Sequence, residues 1–142
     1  MNYIILALLS ALTASLVAIF GKLGLKNVDP TIATTIRSLI MAGFLVIVSL
    51  FLKKFENFSL NLFTSKDVLL IILAGISGAL SWLFYFLALK FGPASHVAVI
   101  DRLSLVFVIL LSALILGEVF NLKVFLGMIL IVIGAILIVL GK

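Results

Sequence analysis

Uncharged apolar runs alternate along the chain with short clusters of charged residues, Gly and Pro. A helix rising about 1.5 Å per residue needs about 20 such residues to cross the hydrocarbon core of a bilayer. Five runs meet that length, over residues 3–24, 31–52, 67–91, 94–116 and 122–141. The first holds no charge before Lys22, the second only Arg37, and residues 68–89 none at all, whereas the fourth contains Asp101 and Arg102. The runs are too long for membrane strands and lack the apolar and polar alternation that a barrel requires. The pattern therefore predicts an all-α membrane protein with five transmembrane helices. Asp29 and Pro30 fit the N-cap and first turn of the second helix, and Gly92 with Pro93 separates the third from the fourth. One sizeable loop, Lys53 to Asp67, remains, and its Phe55, Phe58 and Phe63 alternate with polar residues as interfacial anchors do. No linker is long enough to divide residues 1–142 into domains. Residues 1–24 lack the basic start of a secretory leader and make a long run for one, so they read as a span.

Composition says why lipid must be the solvent. Of 142 residues 65% are apolar and 11% charged, against about a quarter charged in soluble domains. A water-soluble globule, a disordered chain, a coiled coil and a nucleic-acid-binding domain are all excluded. The net charge of +5 comes from basic residues lying mostly between the apolar runs, where they anchor at headgroups. Zero cysteines remove disulfides and thiolate chemistry. Orientation is not settled by charge. Lys53, Lys54, Lys66 and Lys123 fall on the N-terminal side and Lys22, Lys26, Lys90 and Lys142 on the other, four against four. Either the first helix or the insertion machinery fixes one orientation, or copies insert both ways and pair as antiparallel dimers, building from two chains the inverted repeat of many transporters.

Ionisable groups inside a span cost several kcal/mol and ask for a partner, a cavity or a function. Arg37, Asp101 and Arg102 lie about 10 to 14 Å along helices entered from the same membrane face. Trp82 and Tyr85 on the third helix and Thr13 and Ser15 on the first fall at a similar level, which suggests a small binding chamber. Asp101 and Arg102 are about 100° apart on their helix, so the expected pair is Asp101 with Arg37, leaving Arg102 to snorkel or to face an anionic substrate group. The plainer alternatives are that the charges only lock helices together and that Trp82 and Tyr85 fill space, as the 12 Phe do. His96 reads as an interfacial group and Glu118 as a helix boundary. Ala7, Ala11 and Ser15 give the first helix a narrow face suited to a central position, and Gly75, Gly78 and Ser81 repeat the device on the third. Gly127, Gly134 and Gly141 recur every seven residues on the fifth and fit a dimer contact or packing within the chain equally well. With one His, no Gly-rich phosphate loop, no metal-ligand cluster and no nucleophile beside a base, neither an enzyme nor a cofactor or metal is expected.

The stretch ALKFGPASHVAVIDRLSLVFVILLSALILGE, Ala88 to Glu118, resembles the most characteristic segment of the EamA domain in the drug/metabolite transporter superfamily. In that pattern the third helix ends in Ala-Leu and a short Gly-rich turn, and the fourth closes on Leu-Gly-Glu, here Leu116, Gly117 and Glu118. Ile100 to Ser104 looks most like the five-helix bacterial/archaeal transporter type, and Gly127 to Gly141 resembles the domain's last helix. Val99 stands where that subgroup carries a proline, which removes a helix break. The resemblance implies one inverted-repeat half of a transporter, working as a homodimer in the inner cell membrane on a small organic solute or metabolite, amino-acid-like or similar, by alternating access. Substrate contacts are then expected at Arg37, Trp82, Tyr85, Asp101, Arg102 and Ser15, a hinge at Gly92 and Pro93, and dimer packing at Gly127, Gly134 and Gly141. The lipid bilayer, the solute and a second copy are the expected partners. Three rivals are a proton-coupled small multidrug exporter, a lipid-headgroup flippase and a non-transporting membrane assembly subunit. The first depends on an acid in its first helix, and residues 3–24 have none.

Overall fold

A computed structural model describes residues 2–56, 59, 63–119 and 121–141. All its regular structure is helical: α1 (Tyr3–Gly24), α2 (Pro30–Phe51), α3 (Ser65–Phe91), α4 (Ala94–Asp101), α5 (Ser104–Leu111) continued by a π-helical turn (Ser112–Leu116), and α6 (Leu122–Leu140). Among the described residues five stretches are long and apolar enough to cross a membrane, Ala94–Leu116 counting as one. The expectation of five spans holds. Phe58 and Lys142 lie outside the described residues, while Phe55 and Phe63 are exposed.

The ends of these helices follow from local chemistry. The Asp29 carboxylate accepts from the backbone N–H of Thr31 at 2.8 Å and of Ile32 at 3.2 Å, and Pro30 supplies a first-turn residue that needs no N–H partner. At the other end of α2 Lys53 adopts a left-handed φ of 54°. Its N–H reaches the Leu50 carbonyl at 3.0 Å and that of Lys54 the Ser49 carbonyl at 2.9 Å, the double closure of a Schellman motif. The apolar run alone starts α3 near Asp67; a reciprocal capping box carries it back to Ser65. In that box the Thr64 N–H donates to Asp67 Oδ2 at 3.0 Å and the Asp67 N–H to Thr64 Oγ1 at 3.2 Å. Asn121 caps α6 through the Val124 N–H at 2.9 Å.

The fourth span is interrupted although Val99 removes the proline expected to break it. At Arg102 and Leu103 bonding tightens: Leu103 N–H reaches the Ile100 carbonyl at 2.9 Å and Leu105 N–H the Arg102 carbonyl at 3.0 Å, three residues back instead of four. The span then widens into the π turn and stops at Gly117, whose φ of 71° lies in the region that favours glycine. The Leu-Gly-Glu closure is thus a left-handed helix cap.

The chain divides into two compact units, Met1–Ile19 with Phe91–Lys142, and Phe20–Lys90. In the first, α4 and α5 pack on α6, with Val97, Met128 and Ala135 buried. In the second, Leu25, Phe86 and Leu89 form the core, and Thr34 is buried with its hydroxyl donating to the Pro30 carbonyl at 2.7 Å. Gly21 allows the close approach there: a Cβ on it would stand 3.3 Å from both Leu89 Cδ1 and Phe86 Cζ. Most other large apolar side chains are exposed, the pattern expected when lipid covers the helices. Ala18 is the one buried residue of α1. Cβ atoms placed on Gly75, Gly78, Gly127 or Gly134 would meet nothing within 4 Å in their own units.

Candidate functional site

In the second unit a cation sits on an aromatic face. Trp82, Tyr85 and Phe86 occupy positions i, i+3 and i+4 of α3, so their rings share one side of the helix. Trp82 meets Tyr85 edge to face with centroids 5.5 Å apart, and Phe86 at 6.1 Å. Arg37, two turns into α2, lays its guanidinium over the Trp82 ring, the central carbon 3.6 Å from the centroid and 5.5 Å from that of Phe86. Such a contact is worth about 0.5 to 2 kcal/mol, more as water is excluded. Arg37, Trp82 and Tyr85 are half-buried and Phe86 is buried. Of the residues singled out in the sequence, the structure brings these three together. Phe86 was missed, although its spacing from Trp82 was a signal that could have found it.

A second feature of this unit was also missed. The Lys22 ammonium donates to the Leu89 carbonyl at 2.6 Å, and the Lys90 ammonium donates to the Leu25 carbonyl at 2.7 Å and the Lys26 carbonyl at 3.3 Å. Each lysine thus serves the carbonyls at the end of the other's helix, where backbone acceptors lack helical donors and the dipole favours a cation. With Lys26 they line a cavity of about 190 Å³. Asp29 stands near Lys90, and its carboxyl is held below the ordinary 3.8, chiefly by the N–H groups of Ile32 and Thr31 and in smaller part by Lys90. The meeting of these ends agrees with the loop count that put Lys22, Lys26 and Lys90 on one membrane face.

The family follows from comparison. The model of the EamA-like transporter family matches residues 1–140. The chain belongs to the EamA-like transporter family. A protein of Sinorhizobium sp. called an uncharacterized transporter in the cobO 3' region is 37% identical over 131 residues, covering 92% of each chain. No solved structure matches. Membership in the drug/metabolite transporter superfamily follows, and with five apolar spans the protein is a multi-pass membrane transporter.

In this EamA-like chain the remaining residues sit in the first unit or at its edge. Asp101, half-buried, ends α4, and Arg102, exposed, forms the tightened turn with its N–H shared between the Val99 carbonyl at 3.1 Å and the Ala98 carbonyl at 3.3 Å. Beside them Ile100, Leu103, Ala135, Ile136, Val139 and Leu140 line an apolar cleft of about 250 Å³. Arg37 and Asp101, expected to pair, belong to different units. Ser15 is exposed and its hydroxyl donates to the Leu12 carbonyl at 2.7 Å, so it can offer a ligand only its lone pairs. Gly92 and Pro93 form the two-residue connection from α3 to α4, with Pro93 extended at φ −63°, ψ 139°. Gly127 and Gly134 are half-buried and Gly141 is exposed.

Proposed function

We propose that this chain carries a small organic solute or metabolite, amino-acid-like in size and polarity, across the inner cell membrane by alternating access, as an antiparallel homodimer. The observation that carries the reading is Arg37 stacked on Trp82 inside an apolar span of a transporter-family chain. A cation held on rings is an organised polar surface in a medium that penalises stray charge. Trp82 and Tyr85 offer ring surfaces to the solute. Asp101, Arg102 and the Ser15 lone pairs contact it at another stage of the cycle. Gly92 and Pro93 act as the hinge, a reading supported by the two-residue connection they form between α3 and α4, with Pro93 extended. Gly127, Gly134 and Gly141 pack against the second copy, and the open space around Gly127 and Gly134 within their unit supports this. The even lysine count supports insertion in both orientations.

Counterflow of a broad metabolite panel in proteoliposomes tests the reading. The wild type should exchange at least one member, and Asp101→Asn should abolish exchange while membrane insertion is unchanged. Equal exchange by the variant would remove Asp101 from the mechanism. No exchange of any member, together with a stable complex with another membrane protein, would replace the transporter reading by that of an assembly subunit.

A further inference from the structure

Arg37 meets rings in its unit but no anion. The acidic residues of residues 20–90 are Asp29, Glu56 and Asp67. Asp29 is committed to the start of α2, Asp67 accepts from the Thr64 hydroxyl at 2.7 Å, and Glu56 pairs with Lys53 at 3.2 Å. Trp82 lies against the guanidinium, its ring centroid 3.6 Å from the central carbon, and a guanidinium carries its N–H groups in its own plane, away from a partner on its face. Stacking offsets only part of the cost of holding a charge within a span.

We propose that Arg37 is a carboxylate receptor: the solute carries one carboxylate, gripped by the in-plane N–H fork of Arg37, on an apolar or aromatic body that rests against Trp82, Tyr85 and Phe86. This rests on the transporter reading and names its substrate class. Charge balance selects the ligand. A monoanion neutralises one guanidinium, whereas a phosphate monoester near neutral pH brings close to two negative charges to the single cation that the rings hold. Shape agrees, since a planar carboxylate meets the fork with two parallel hydrogen bonds. The neighbours left for the rest of the solute are rings.

Trp82 is the chain's one tryptophan, so its fluorescence reads the site directly. Purified protein in lipid nanodiscs is titrated with 3-phenylpropionate, its neutral amide and phenyl phosphate. The acid should change Trp82 emission saturably and bind about tenfold or more tightly than either analogue, as a charge-assisted paired contact requires. Arg37→Gln should erase the preference for the acid, and Arg37→Lys, which keeps the charge without the fork, should retain only part of it. Equal affinity for acid and amide in the wild type, tighter binding of the phosphate, or no saturable response to the acid would overturn the proposal, and the wild-type comparison stands even where a variant fails to fold. Counterflow of neutral solutes without acid binding would sink the carboxylate receptor and leave the transporter. Acid binding without exchange of any solute would do the reverse.

Discussion

Arg37 and Asp29 show how position decides what a charged residue does. Eight residues apart at one end of α2, one lies along an aromatic face within the span and the other closes the helix from outside. Asp29 makes a pH prediction. Its folded pKa is below the ordinary carboxylate value, so its contribution is fully present above that value and is lost as pH falls through the lower folded one. Asn can cap a helix but does not titrate in this range. Melting temperatures in detergent should therefore show the wild type losing ground to Asp29→Asn as pH drops below about 3.8; parallel curves would contradict the cap. At this scale the sequence was informative where chemistry is local. Asp29 and Pro30 announce a helix start, and Gly117 a helix end. The meeting of Arg37 with Trp82 was not legible, because a register along each helix gives depth and leaves open which sides face each other.

At the scale of elements, five apolar lengths were plain from the sequence because a bilayer sets a minimum span. The interior of the fourth was not. Its interruption at Arg102 and Leu103 contains neither Pro nor Gly, and the π turn after it falls on Ser-Ala-Leu-Ile-Leu, which reads as ordinary helix. The reciprocal lysines link the ends of α1 and α3 within the second unit. Lys90→Met should leave the Leu25 carbonyl without its charged donor and cost about 1 to 3 kcal/mol, read as a fall in thermal stability in detergent, with Lys90→Arg milder. An unchanged melting temperature in Lys90→Met would show that the link contributes nothing to stability.

At the scale of the whole molecule, an alternating-access device in larger carriers is assembled from two repeats of opposite orientation. A chain with five spans can supply only one, and its balanced lysines leave both insertions open. Family membership establishes a membrane transporter; the proposed pairing of inverted copies would supply the second repeat. A compartment-sensitive reporter fused in turn to the N-terminus and to the C-terminus measures this most directly. Both fusions should give signal from both sides of the membrane, in comparable amounts. A single strict orientation at each terminus would contradict the antiparallel pair and require a parallel dimer or a different partner chain.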